Sequence, residues 1–319
     1  MLGSVALLAA LPFQAWGEER RDRLAWGLYE IYWGFERHRV RWEQTVASLG
    51  AQPDYVLFFR DLVRPFPAEA VRYHDAKGTR VILSLELEVW GARGPGDAVL
   101  EAIAAGKFDA PLRRFAQGAA ETGLPVILRF GFEMNGDWFP WGGQPEAFKR
   151  AWRHAHALVS AHDGGRVQWM FSPNVLWDDR TFESDYAPYY PGDAYVDWVG
   201  LDGYNFGDNY DQYHRWQSFT EIFGPSITAI GRFEKPLILS EVGCAEDPRK
   251  PTWLREMFAG LREFPSVEAF VYFNYDKRSE GEPDWSLDSS PAALRAFREN
   301  LPRVRVYHHM PRSVAGAGG

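Results

Sequence analysis

Apolar residues in this chain recur in short continuous runs, and most runs are followed by a longer segment with helical periodicity. The runs lack the polar alternation of a half-exposed strand, which is typical of parallel strands covered on both faces. Eight strands are predicted, at 25–32, 54–59, 80–86, 125–130, 167–172, 196–202, 236–241 and 267–273.

Helical segments follow most of these strands, at 37–49, 67–77, 97–122 (interrupted at Gly106), 145–162, 216–233, 251–263 and 291–300. After the fifth strand, Pro188, Pro191 and Gly192 predict a long irregular loop instead. The alternation predicts an α/β protein with one domain, a (β/α)8 TIM barrel over residues 18–301. An open doubly wound sheet is the alternative, but no Gly-x-Gly-x-x-Gly turn follows the first strand.

The two ends of the chain fall outside this predicted barrel. Residues 2–13 are apolar enough for the core of a signal peptide, but no Lys or Arg precedes them, and Phe13-Gln-Ala15 is a poor cleavage site. We expect residues 1–17 to be a signal or an apolar N-terminal segment, and residues 302–319 to be a tail. Secretion or a periplasmic location is the favoured prediction, and a cytoplasmic location stays open.

Composition narrows the classes of partner. The net charge of −8 argues against nucleic acid and against an anionic membrane surface. Cys244 is the only cysteine, so the chain has no intrachain disulfide and no cysteine-based metal site. An aromatic fraction of 16%, with 14 tryptophans, exceeds what a core needs and predicts aromatic side chains around a binding site. We expect a monomer that uses no cofactor and no metal ion.

Residues at the C-terminal ends of barrel strands face the active site. At these ends the chain offers carboxylates, amides and aromatic rings, with very little histidine. The set comprises Glu86, Glu88, Trp90, Glu133, Asn135, Trp138, Ser172, Asn174, Asp202, Tyr204, Asn205, Glu241, Phe273, Asn274 and Asp276. Aromatic faces stack on sugar rings while carboxylates and amides bind hydroxyl groups, so the set predicts a carbohydrate ligand.

Two glutamates hold equivalent places, Glu133 after the fourth strand and Glu241 at the end of the seventh. Across a barrel mouth, one carboxylic acid can protonate a leaving oxygen while the other attacks the anomeric carbon, if they lie about 5–5.5 Å apart. A structural ion pair between Glu133 and Arg129 is the alternative interpretation. Glu86 and Glu88 are expected to be structural, one of them pairing with Arg129.

Three motifs carry a resemblance to a known family. They are Phe-Glu-Met-Asn-Gly-Asp-Trp-Phe-Pro-Trp at 132–141, the segment from Tyr-Pro-Gly-Asp to Gly-Tyr at 190–204, and Lys-Pro-Leu-Ile-Leu-Ser-Glu-Val-Gly at 235–243. Segments 106–110 and 273–277 match more weakly. Together they resemble glycoside hydrolase family 26, the β-mannanase family, within a clan of barrels whose catalytic glutamates end strands four and seven.

The resemblance implies a retaining β-glycoside hydrolase that acts on a β-linked polysaccharide or oligosaccharide. Glu133 would be the acid/base, with a raised pKa, and Glu241 the nucleophile. Tyr204 would hold the nucleophile and meet the ring oxygen, and Arg129 would lie beneath the pair and favour the charged form of Glu241. The predicted substrate-binding residues are Trp138, Tyr204, Asp202, Arg129, Asn135, Phe132, Trp90 and Phe273.

Phe132 departs from the family pattern. Its mannanases usually carry a histidine here, which contacts the sugar beside the cleaved bond. The change puts mannan specificity in doubt and leaves β-1,3-xylan and mixed-linkage β-glucan open, as well as endo or exo action. A non-catalytic carbohydrate-binding barrel is the alternative function, and a barrel enzyme with a non-carbohydrate substrate is a third.

Overall fold

The structure is a computed structural model that describes residues 24–91, 96–212 and 214–301. The predicted N-terminal segment at 1–17 and the tail at 302–319 lie outside the described residues. The described part contains a closed barrel of eight strands in chain order, β1 to β8. Every neighbouring pair is parallel, and β8 closes the barrel against β1. The predicted TIM barrel is therefore confirmed.

The strands are β1 (Ala25–Tyr29), β2 (Tyr55–Asp61), β3 (Arg80–Glu86), β4 (Val126–Phe130), β5 (Val167–Phe171), β6 (Trp198–Asn205), β7 (Leu237–Cys244) and β8 (Val267–Tyr272). The helices are α1 (Phe35–Leu49), α2 (Ala68–Ala76), α3 (Val99–Ala104), α4 (Asp109–Thr122), α5 (Pro145–Ser160), α6 (Phe219–Ile230), α7 (Lys250–Leu261) and α8 (Pro291–Asn300).

The connection from β5 to β6 contains no α-helix within the described residues, as the prolines predict. It holds only a π-helical turn (Phe182–Tyr186) and a 3-10 turn (Asp193–Tyr195). A side chain–backbone capping box at Thr181 fixes the start of the π-helical turn. This irregular segment lies beside the active site because it leaves from the C-terminal end of β5.

The sixth and seventh strands extend beyond the predicted ends at residues 202 and 241. They stay paired as far as Asn205 and Cys244, with a register irregularity between Leu201 and Asp202. Glu241 therefore lies within a paired strand rather than at its end. Backbone pairing on both sides of this residue fixes the direction of its side chain.

Apolar side chains fill the barrel on both sides of the sheet. Inside, residues such as Ile82, Ile127, Met170 and Ile238 form one buried cluster. Outside, the other face of the strands packs against the helices in a larger cluster. This two-sided burial explains the continuous apolar runs. Within the described ranges, no helix is long and apolar enough to cross a membrane.

Candidate active site

Arg129 on β4 is the buried centre of the site, with 0% of its surface exposed. One terminal nitrogen donates to Ser84 Oγ at 3.0 Å and to Glu241 Oε1 at 2.5 Å. The other donates to Asp202 Oδ2 at 2.5 Å. A buried cation needs such partners, because desolvation is otherwise costly. The guanidinium therefore links strands β3, β4, β6 and β7 at one depth in the barrel.

Glu241 on β7 accepts hydrogen bonds at both carboxyl oxygens. Arg129 donates to Oε1, and the Tyr204 hydroxyl donates to Oε2. Burial raises the pKa of Tyr204 well above its ordinary value, and the charge of Glu241 acts in the same direction. The phenol therefore stays protonated and remains a donor to the carboxylate.

Asp202 differs from its predicted role as a ligand of a sugar hydroxyl. Its side chain is fully buried, Oδ2 accepts from Arg129, and Oδ1 accepts from Ser240 Oγ at 2.8 Å. Burial raises the pKa of Asp202 well above its ordinary value, while the charge of Arg129 opposes the rise. The residue anchors Arg129 from below, so any influence on substrate is indirect.

Glu133 lies on the loop after β4, three residues beyond the strand. Its backbone has φ of +51°, a left-handed conformation that costs energy in a residue with a side chain. The Glu133 N–H donates to the Ser172 carbonyl at 2.8 Å, and the Gly136 N–H donates to the Glu133 carbonyl at 3.0 Å. These two bonds hold the loop in a conformation that aims the carboxyl at the barrel mouth.

The carboxyl of Glu133 accepts from two neutral groups. The Trp138 indole N–H donates to Oε2 at 2.7 Å, and the Asn174 amide donates to Oε1 at 2.8 Å. Burial raises the pKa of Glu133 to about 7, and the charge of Glu241 adds to the rise. Arg129 and the two donors oppose it. The direction is the one expected for a carboxyl that must carry a proton near neutrality.

The carboxylates of Glu133, Asp202 and Glu241 each place one oxygen within 4.8 Å of the others. This upper bound on the oxygen separation lies below the ~6.5–9.5 Å between the carboxyls of inverting glycosidases and is compatible with the ~5–5.5 Å of retaining ones. Three acidic oxygens at this spacing could also hold a metal ion. Arg129 already supplies positive charge to two of them.

Two tryptophans lie at the rim. Trp138 is 48% exposed and its ring lies against Trp177, with centroids 5.7 Å apart. Trp90 is half-buried, and its indole N–H donates to Glu86 Oε2 at 2.5 Å. Burial raises the pKa of Glu86 to about 7. The alternative ion pair of Arg129 with Glu133 and the expected pairing with Glu86 or Glu88 are wrong, because the Arg129 guanidinium pairs with Asp202 and Glu241.

Three other predicted substrate-binding residues are buried. Phe132 is 3% exposed, and the Arg129 guanidinium lies 4.2 Å from its ring centroid. Phe273 is 5% exposed and stacks on Tyr29 at 4.4 Å. The Asn135 amide bonds to the backbone of Asn174. Glu241 is as buried as these three residues, at 4% exposed, so their contact with substrate stays a prediction.

The comparisons with known proteins agree with this geometry. The family model described as glycosyl hydrolase family 26 matches residues 104–255, a range that includes Glu133 and Glu241. The resemblance to glycosyl hydrolase family 26 is confirmed.

Two curated relatives match parts of the chain. Endoglucanase H of Acetivibrio thermocellus is 36% identical over 205 residues, which cover 61% of this chain and 22% of that protein. A mannan endo-1,4-beta-mannosidase of Bacillus subtilis is 32% identical over 157 residues, covering 43% of this chain and 41% of that protein. The chain thus spans less than half the length of either relative.

A solved structure agrees over most of the fold. The β-mannanase of family 26 from Bacteroides ovatus superposes with a TM-score of 0.66 and 19% identity, covering 87% of this chain and 88% of that one. At this identity the likeness supports the barrel fold alone.

The family 26 resemblance did not point to several residues that complete the site. Ser84 and Ser240, which bond Arg129 and Asp202, are single serines inside the apolar runs of β3 and β7. A lone polar residue in such a run is a usable signal, because it needs a buried partner. Asn174 was predicted at the rim without a role, and Trp177 and Arg180 carry no sequence signal we can name.

Proposed function

We propose that the protein is a retaining β-glycoside hydrolase with Glu241 as nucleophile and Glu133 as acid/base. The observation that carries the proposal is the contrast between two close carboxyls. Glu241 is paired with a buried guanidinium, whereas Glu133 accepts only neutral donors and has its pKa raised to about 7. A buried carboxyl that keeps a proton near neutrality suits the role of acid, and a neighbouring carboxyl held by a guanidinium and a phenol suits the role of nucleophile.

In the first step of the proposed mechanism, a Glu241 oxygen attacks the anomeric carbon and the glycosidic C–O bond breaks. Glu133 gives its proton to the departing oxygen, so the aglycone leaves as an alcohol. The sugar is then an ester of Glu241. Tyr204 stays hydrogen-bonded at the carboxylate, close to where the ring oxygen gains positive charge in the transition state.

In the second step, Glu133 takes a proton from water, and the hydroxide attacks the anomeric carbon from the side the aglycone left. The ester bond to Glu241 breaks and its carboxylate returns to Arg129. Two inversions leave the β configuration in the product. The enzyme regains its starting protonation state, because Glu133 has given one proton and taken one.

We propose endo action, in keeping with the mannanase-like relatives, with β-glucan preferred over β-mannan. Of the two relatives described above, the one called an endoglucanase has the longer match and the higher identity. Phe132 supplies no hydrogen bond at the position where the family's mannanases usually carry histidine. A site that lacks such a donor loses discrimination for the hydroxyl it would bind.

Product stereochemistry tests the mechanism. Proton NMR of the first reducing sugar released, recorded before mutarotation, should give the β anomer. An α anomer would exclude double displacement. No turnover on any β-glycan, despite binding, would favour the non-catalytic carbohydrate-binding alternative.

A substrate panel tests the specificity. Reducing ends should be released fastest from mixed-linkage β-glucan, more slowly from mannan and from β-1,3-xylan, with kcat/KM compared at one pH. A rapid fall in viscosity relative to reducing ends would support endo action. A preference for mannan would contradict the proposed role of Phe132.

Location and oligomeric state remain proposals as well. We propose export, on the basis of the apolar residues 2–13, and a monomer. N-terminal sequencing of protein from the culture medium tests the first. Light scattering during gel filtration tests the second, with a mass near 36.5 kDa expected for the uncleaved chain.

A further inference from the structure

Both oxygens of the Glu133 carboxyl are held by donors from different loops. Trp138, from the loop after β4, donates to Oε2 at 2.7 Å. Asn174, from the segment after β5, donates to Oε1 at 2.8 Å. The orientation of the proposed acid therefore depends on how firmly these two side chains are themselves positioned.

Asn174 is fixed through its backbone. Its N–H donates to Asn135 Oδ1 at 2.8 Å, and Asn135 Nδ2 donates to its carbonyl at 3.1 Å. The Tyr186 hydroxyl also donates to the Asn174 carbonyl, at 3.2 Å. Asn135 therefore ties Asn174 to the same loop that carries Glu133.

Trp138 is fixed through ring packing. One side of the ring lies so close to Gly136 that a Cβ added there would be 2.4 Å from the indole. The ring also contacts Trp177, at 5.7 Å between centroids and 44° between planes. The Trp177 ring in turn has the Arg180 guanidinium carbon 4.2 Å from its centroid. Such a cation–ring contact restricts both partners.

Arg180 belongs to both supports. It stacks on Trp177, and the same guanidinium donates to the Asn135 carbonyl at 3.2 Å. It also donates to Asp185 Oδ1 at 2.5 Å, and the Asp185 side chain is only 1% exposed. Ser184 Oγ donates to the other oxygen of Asp185 at 2.6 Å. A planar guanidinium held by a buried carboxylate is a rigid anchor.

We propose that Arg180 is a positioning residue for the general acid, holding Asn174 through Asn135 and Trp138 through Trp177 at the two oxygens of Glu133. The inference rests on the proposed role of Glu133. It assigns a task to the irregular connection between β5 and β6, which supplies Asn174, Trp177, Arg180 and Asp185.

Loss of Arg180 should loosen both donors and affect two measurable quantities. Protonation of poor leaving groups should slow, because the acid is less well oriented. The alkaline limb of the kcat/KM profile should move to higher pH. N–H donors favour the charged form of the Glu133 carboxyl, so its pKa rises when the donors are no longer held in place. A residue that only supports folding would change neither the pH profile nor the dependence on the leaving group.

The experiment uses Arg180→Met and a series of aryl β-glycosides whose leaving groups differ in acidity but not in size. The sugar is the one preferred in the substrate panel. We expect kcat/KM to fall on the order of tenfold for the poorest leaving group, a part of the about 10²–10⁴-fold that a positioned acid contributes. It should fall less than about twofold for the best leaving group. The midpoint of the alkaline limb should move to higher pH by about a few tenths of a unit.

Arg232→Met is the matched control. Its guanidinium stacks on Phe182 at 3.8 Å and pairs with Glu183, in the same connection as Asp185, but has no contact described with the Asn135 or Trp177 supports. It should leave both quantities unchanged. Trp177→Leu removes the support of Trp138 but keeps the bond from Arg180 to Asn135, so it should give a smaller change in both quantities. If Arg180→Met does not fold, the result for Trp177→Leu tests the proposal.

Two results separate failure of this inference from failure of the proposed function. If Glu133→Ala shows no dependence on the leaving group, the proposed acid is wrong. Glu133→Ala can show that dependence while Arg180→Met and Trp177→Leu lower kcat/KM equally for all leaving groups and leave the alkaline limb at the same pH. In that case the positioning role of Arg180 is overturned.

Discussion

The two glutamates of the site occupy opposite kinds of surroundings. Glu241 lies inside a paired strand and accepts from a buried guanidinium and a phenol. Glu133 lies on a loop with left-handed backbone and accepts from two neutral N–H groups. Strand pairing and charge fix the first carboxyl, whereas loop bonds and ring packing fix the second.

This contrast shows how one residue type can be prepared for two tasks. Glu241 is held at both carboxyl oxygens, by Arg129 and Tyr204, which orients it for attack at carbon. A carboxyl in a buried, neutral setting keeps a proton to give away, which the pKa of about 7 for Glu133 expresses. The residues around each glutamate thus determine its proposed role, and substitution of those residues tests the assignment.

The largest effect is expected for Glu241→Ala. Without the carboxylate no glycosyl ester can form, and kcat should fall on the order of 10⁶-fold, as when the nucleophile of another covalent mechanism is removed. Azide should restore part of the turnover on activated aryl β-glycosides and yield the α-glycosyl azide. Recovery of a β-azide would transfer the nucleophilic role away from Glu241.

The next largest loss of activity is expected for Glu133→Ala. On unactivated substrates kcat/KM should fall about 10²–10⁴-fold, whereas a dinitrophenyl glycoside should react in the first step almost as before. The second step is then rate-limiting, so a burst of dinitrophenol should be visible by stopped flow. Equal losses on both substrates would contradict the acid role.

The native pH profile completes this test. Glu133 must be protonated in the first step, so kcat/KM should fall as pH rises through its pKa of about 7. This alkaline limb should be absent from Glu133→Ala assayed with the dinitrophenyl substrate. A limb that persists there at the same pH would belong to another group.

Arg129→Met tests the surroundings of Glu241 through the stability of the protein. It leaves Asp202 and Glu241 without their common cation, and breaking a buried pair typically costs about 3–5 kcal/mol in the free energy of unfolding. Urea unfolding of the native protein and of Arg129→Met at one pH measures the loss. Arg39→Met, at an exposed ion pair on α1, is the control and should change little.

The smallest effect is expected for Phe132→His. A new hydrogen bond to a sugar hydroxyl contributes about 1 kcal/mol, or roughly fivefold in the mannan-to-glucan ratio of kcat/KM. Phe132 packs on the Arg129 guanidinium, so the imidazole should stay neutral. An unchanged ratio would mean that this position does not set specificity.

The sequence predicts the barrel and both glutamates because these depend on local patterns: apolar runs, helical periodicity and residues at strand ends. The partners of Arg129 could not be predicted, because they lie 73 and 112 residues away along the chain and meet through the register of the closed barrel. That register also brings Asp202 to Arg129 and Ser240. The left-handed backbone of Glu133 depends on the Ser172 carbonyl, a bond between two strands' ends.

The backbone at Glu133 has a consequence for attempts to make this protein tolerate heat. A glycine at this position would relieve a conformational cost of about 1–3 kcal/mol and would bury no carboxyl. It would also remove the proposed acid. A library screened for melting temperature alone should therefore enrich inactive variants at residue 133, and a useful screen must couple survival on heating to sugar release.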